Sequence, residues 1–228
     1  MKKKHLAEYV KCEFCGGTGG EVNDNSLFGW RLGNANMELF VTETGAHVAP
    51  VKFYDDTEHP IMPYYVSPWQ GEKVELDEPV LWPLRGNFFC FPFGGNADIY
   101  NGEKHRVHGE TAGGCWKSRE VRNHDNRIDM VLELNTVTRP GRVTKTISLI
   151  EGHNVIYSRH LLEGYSGSMP LGFHALLRLP DQPDSIRFST SKFDFGMTNP
   201  QYFSNPVNRE YQSLDFFKEF TDLRQVPL

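Results

Sequence analysis

The residues best suited to chemistry lie between Pro83 and Trp116. Arg85 precedes a glycine. Phe88, Phe89, Phe91 and Phe93 surround Cys90 and Pro92, Gly94 and Gly95 follow, and the stretch closes on His108, Gly109, Glu110 and Trp116. A guanidinium donates to hydroxyl and ring oxygens, and aromatic faces cover the apolar C–H side of a pyranose. Glycine admits close backbone, and a histidine beside a carboxylate moves protons. Together these are the requirements of a sugar site. The same residues would also build an aromatic hairpin in a β-core, with Arg85 and His108 as ordinary surface groups.

Positioning such groups requires a scaffold, and the chain alternates as strands do. From Asn36 to Thr42, Met37, Leu39 and Val41 share one face, with Glu38 and Thr42 on the other. Ala46–Phe53 follows the Gly45 turn. The runs 61–69 and 79–93 are extended but broken by proline, which predicts edge strands and loops. Four strands, 116–124, 127–137, 142–150 and 154–163, form a meander with turns at Asp125-Asn126, Pro140-Gly141 and Gly152-His153. In the second, Ile128, Met130, Leu132 and Leu134 share a face. From Leu171 to Leu179, Phe173, Ala175, Leu177 and Leu179 point one way, and Gly172, His174 and Arg178 the other. Residues 185–190 read as a short strand, and only 208–223 has helical spacing. The expectation is an all-β antiparallel sandwich over 29–228, preceded by a polar lead-in, 1–28, that holds at most one strand.

With 228 residues the chain is long enough for a substantial core; 39% hydrophobic and 23% charged residues mark it as globular rather than disordered. A net charge of −5 supplies no electrostatic footprint for nucleic acid. No stretch has transmembrane length, and the lysine-rich start has no apolar run behind it. The expectation is therefore a soluble cytoplasmic protein without nucleic-acid or membrane partners. Cys12 and Cys15 resemble one half of a zinc knuckle whose second half is missing, and Cys90 and Cys115 read as small buried residues. His105, His108, Glu110 and His174 could be read as a cupin-like metal set, but their spacing is wrong for it. Neither metal nor cofactor is expected.

Arg85-Gly86, Phe91-Pro92-Phe93-Gly94 and His108-Gly109 resemble the Arg-Gly-x-Pro-x-x-Phe-Pro-x-Phe-Gly … His-Gly signature of the aldose 1-epimerase (mutarotase) superfamily. The likeness is nearest to its hexose-6-phosphate mutarotase and related branches. It extends from about Trp30 to Pro180 through Trp30–Leu39, Thr44–Val51, Tyr64–Trp69 and Pro170–His174. It implies a galactose-mutarotase-like β-sandwich acting on the anomeric centre of an aldose. His174 would be the acid, His108 a sugar-hydroxyl partner and Arg85 a sugar or phosphate contact. Phe93, Trp116 and Trp69 would be stacking rings. Ala112 stands where the phosphorylated-sugar branch carries a second Arg, so a free aldose is expected.

In the family the general base is a Glu on a strand beyond the part that Leu228 reaches, and Glu110 is the nearest substitute here. An incomplete sandwich with an exposed apolar face or unpaired edge, and a possible homodimer, are the corresponding expectations. A sugar-binding protein that keeps the site without turnover, and a metal-dependent cupin-like isomerase, are the alternatives.

Overall fold

The computed structural model describes residues 6–11, 27–54, 58, 60–71, 75–200, 204, 206–208 and 213–226. The chain divides into two compact units, Met1–Arg178 and Leu179–Leu228. The sequence suggests a single domain from residue 29.

In the first unit two antiparallel sheets are stacked. One has six strands in the order β1 (Leu6–Lys11), β2 (Phe28–Gly33), β3 (Met37–Thr42), β4 (Val48–Phe53), β5 (Asn87–Cys90) and β10 (Gly172–Ala175). The other is the expected meander, β6 (Lys117–Asn123), β7 (Arg127–Thr136), β8 (Gly141–Ile150) and β9 (Ile156–Glu163). A short helix, α1 (Glu110–Gly113), follows the His108-Gly109 turn. The fold is all-β, as the alternation predicts. β1 lies within the lead-in, and β5 is an inner strand between β4 and β10 rather than an edge.

Period-two alternation places the core. Ile128, Met130, Leu132 and Leu134 of β7 face Leu149, Ile147 and Val143 of β8, and all pack on Trp30, Leu32, Leu39, Val41, Val51 and Phe89 of the larger sheet. Each such apolar side chain, fully buried, contributes about 1.5–3 kcal/mol. Polar ties also cross between the sheets. Asn34 Nδ2 donates to the carbonyl of Ile150 (3.2 Å), and Lys145 Nζ donates to the carbonyl of Ala46 (2.6 Å).

The expected core face of 171–179 is instead largely open: Phe173 is 53% exposed, and Leu177 and Leu179 are also exposed. β10 is an edge strand, so the inter-sheet side of its residues lies at the open flank of the sandwich. No described residue of 185–190 is in a strand, and no described residue of 208–223 is in an α-helix. The second unit instead pairs β11 (Gly196–Met197) with β12 (Glu219–Phe220), where the ring of Phe220 covers Gly196. Among the described residues no helix is long and apolar enough to cross a membrane.

Candidate functional site

Successive residues of a strand point to opposite faces, so Phe88 leaves β5 on the side away from the core that Phe89 enters. Phe88 is fully buried between two imidazoles. His47 stacks on it at 4.0 Å and 8°, and His174, its register partner on β10, stacks at 4.8 Å and 12°. His108 closes the group, with its ring centroid 5.0 Å from His174 and 6.0 Å from Phe88. Phe93 leans over His108 at 5.6 Å and is 41% exposed, giving the cluster an aromatic rim open to solvent.

His47 joins three segments. A carbonyl can only accept, so Nε2 carries the proton and donates to Ala112 O (2.8 Å). Nδ1 is then left to accept from the backbone N–H of Arg85 (3.4 Å). Burial pushes its pKa down to about 3, with the charges of Lys145, Arg85 and His174 acting in the same direction. Gly45 makes this arrangement possible. A Cβ there would lie 2.2 Å from Ala112 O and 2.6 Å from the His47 ring, at a φ of 75°.

His108 and His174 are half-buried, and the buried Nδ1 of each has no hydrogen-bond partner among the described residues. Burial lowers the pKa of both, and the neighbouring charge of His174 lowers that of His108 further. Because two imidazolium ions at this separation repel, the pair takes up its protons one at a time. Among the described residues no carboxylate contributes to the shift of either ring.

The other expected site residues lie elsewhere. Arg85 is wholly buried, with Nε donating to Pro83 O (3.1 Å), and it stands behind the histidines rather than open to a ligand. Trp116 is fully buried in the main core, its indole donating to Thr111 O (3.0 Å), so it presents no stacking face. Trp69 lies in a 3-10 turn (Pro68–Gly71) and donates to Leu81 O (2.7 Å), which anchors the loop. Glu110 accepts from the backbone N–H of Val137 and Thr138 at 3.0–3.1 Å and so caps the β7–β8 turn instead of facing His108. Phe93 keeps its candidate role. Its ring lies against Gly172, where a Cβ would come within 2.7 Å of Cδ2.

The metal set does not assemble. His105 pairs with Glu103 (2.8 Å), and among the described residues no group of three or more His, Cys, Asp or Glu could hold an ion. Cys12 and Cys15 lie outside the described residues. Cys90 is buried, which pushes its thiol up to about 12, whereas Cys115, expected to be buried, is exposed.

No protein-family model matches the chain, and no curated protein does. Among solved structures it is similar to the crystal structure of HI1317, at 13% identity and a TM-score of 0.40 over 64% of this chain and 48% of that one. The chain thus spans about half the length of that structure, and a likeness this weak supports neither a fold family nor a function.

Nothing in the sequence marks His47, or His160, which stacks on Phe89 at 4.2 Å on the core side of β5. Both are solitary histidines with no motif around them, and only the Gly45 turn before His47 hints at close packing. A cleft of about 530 Å³ shares Pro92 with this region but includes neither His108 nor His174. Arg139 and His105 in its lining are both engaged by Glu103.

Proposed function

We propose that the chain is an aldose 1-epimerase-like protein that binds a free aldose against Phe93 and moves protons at its anomeric centre with His108 and His174. The observation that carries this reading is the meeting of two sequence-distant histidines. Their ring centroids are 5.0 Å apart, each Nδ1 is buried without a hydrogen-bond partner among the described residues, and a half-exposed aromatic ring stands beside them. Mutarotation asks for little more. A base takes the proton of the anomeric hydroxyl while an acid protonates the ring oxygen. The bond from C1 to the ring oxygen breaks as the C1 carbonyl forms. Rotation about C1–C2 and the reverse step give the other anomer.

The two oxygens are borne by one carbon, so one imidazolium and one imidazole on the same side can serve both. A singly protonated His108/His174 pair supplies that combination, and each positioned partner is worth ~10²–10⁴-fold. Both pKa values lie below the ordinary 6.5, so that state gains population on the acid side of neutrality, where the rate is expected to be highest. The buried guanidinium of Arg85 does not favour a phosphorylated sugar, and Ala112 supplies no second cation.

Polarimetry tests the reading. The protein should accelerate the approach of freshly dissolved α-D-glucose or α-D-galactose to optical equilibrium, and His174→Ala should lose most of the acceleration. A rate equal to buffer across a panel of aldoses, with saturable binding retained, would leave a sugar-binding protein. Neither turnover nor binding would overturn the site.

A further inference from the structure

Among the described residues the sandwich has four edge strands, and three of them are defended in different ways. β6 (KSREVRN) carries Lys117, Arg119, Glu120 and Arg122, and its register shifts between Ser118 and Glu120. β10 has only four residues. On β1 the charges are Glu8 and Lys11, three apart and therefore on opposite faces. Charge, bulges and shortness are the usual protections against edge-to-edge pairing.

β9 has neither bulge nor shortness, and its two charges, Arg159 and Glu163, are four apart on one face and of opposite sign. It pairs with β8 through eight consecutive residues without a shift, contains no proline, and has no ladder partner on its outer side among the described residues. It exposes Tyr157 and Leu161 at 41% and 43%. Its flank continues apolar onto the other sheet, where Phe173 meets His160 of β9 edge-on at 5.3 Å and is half-exposed.

The charges of β9 select the occupant. Two copies of one strand can continue a sheet antiparallel only about a two-fold axis normal to it. Opposed residues then lie on the same face, and their numbers sum to an even value. A two-fold at Leu161 sets Leu161 against itself and sets Arg159 against Glu163 on both sides. His160 then meets Leu162 on the inner face. Arg159 is exposed and has no ion pair among the described residues. Glu163 uses only Oε2, which accepts from Arg142 at 3.1 and 2.9 Å, and Oε1 makes no hydrogen bond among the described residues. We infer that β9 is a homodimer edge, and that two copies of this chain join their four-stranded sheets into one eight-stranded sheet about Leu161, with reciprocal Arg159–Glu163 pairs.

Sedimentation over a concentration series tests the assembly, and cross-linking tests the register. The wild-type chain should pass from monomer to dimer. Arg159→Glu sets two acidic pairs face to face and should weaken the dimer at least ~tenfold, with the monomer's thermal unfolding unchanged. Opposed Cα atoms in antiparallel strands lie within disulfide reach, at about 4.5–5.5 Å. Leu161→Cys should therefore cross-link to its own copy on oxidation above the wild-type background. Arg159→Cys should not, unless Glu163→Cys is added to the same chain. The disulfide test stands even if Arg159→Glu fails to fold. A wild-type chain that is monomeric throughout, an assembly indifferent to Arg159→Glu, or cross-linking of Arg159→Cys as efficient as that of Leu161→Cys would each overturn the inference.

Discussion

Phe88 and Phe89 are neighbours on one strand, and each carries a stacked histidine, yet the two sides of the sheet make opposite uses of them. On the Phe89 side His160 stacks at 4.2 Å with neither ring nitrogen hydrogen-bonded among the described residues, beside its register partner Lys145, whose amine sits in the core on the carbonyl of Ala46. Burial holds His160 near 3 and Lys145 near 7. On the Phe88 side the histidines come from three separate segments, and two of them keep an unpartnered nitrogen beside an exposed ring. Burial alone therefore does not make a histidine functional. Both sides pair two ionisable groups, and the half-exposed ring of Phe93 beside His108 is what distinguishes the Phe88 side, the site proposed above, from the closed interior around His160 and Lys145.

The largest effect should come from acid. His47 and His160 are held neutral, with folded pKa values of about 3 against 6.5 when unfolded. The folded state binds fewer protons, so stability is lost as pH falls from 6.5 towards 3, by about 1.4 kcal/mol per pH unit for each histidine. Denaturant titrations across this window should show that slope, and His160→Leu should lower it by about 1.4 kcal/mol per pH unit. A slope unchanged in His160→Leu would remove His160 from the acid response.

Next is Lys145. Its folded pKa of about 7 lies below the 10.5 of the free amine, so the unfolded chain holds the extra proton between those values. Stability should rise with pH from 7 to 10.5. Lys145→Met should abolish that rise and stabilise the protein at pH 6–7 by about 1–4 kcal/mol, the range for relieving a buried charge with an apolar isostere. Denaturant unfolding at pH 6.5 and 9.5 checks it. A destabilised Lys145→Met would mean that the bond to Ala46 outweighs the burial of the amine.

His47→Ala removes two hydrogen bonds and one face of the Phe88 stack, at a cost of about 2–4 kcal/mol. It should also weaken sugar binding, because the segments bearing Arg85 and Ala112 lose their shared tie. The smallest change sharpens the exposed side. Gly172→Ala pushes on the Phe93 ring and should reduce sugar affinity several-fold while costing stability less than about 1 kcal/mol. Unchanged affinity would exclude Phe93 as a sugar platform.

The β-architecture was legible because alternation reports burial directly, as it does for Ile128, Met130, Leu132 and Leu134. The same logic misled at Phe173, Leu177 and Leu179, where an apolar face lies at an open flank, since alternation tells which residues share a face but not whether anything covers it. The direction of a side chain was legible where a strand or turn fixes it, as at His174 and His108, whose rings meet at 5.0 Å. Arg85, Trp116 and Glu110 were misjudged because their types suit a sugar site and a core or turn equally well, and only long-range packing separates the two. His47 reaches the site through contacts with residues 38 and 65 positions away, which no local pattern records.

The central claim is that His108 and His174 form one sugar site while His47 and His160 do not. Ring nitrogen resonances of all four, followed while an aldose is titrated in, test it most directly. The account predicts saturable shifts at His108 and His174 that are lost for either ring's partner in His108→Gln or His174→Gln, with His47 and His160 titrating only at low pH and barely responding to sugar. Rings at 108 and 174 that stay unmoved by every aldose tried, or that titrate independently of one another, would contradict it.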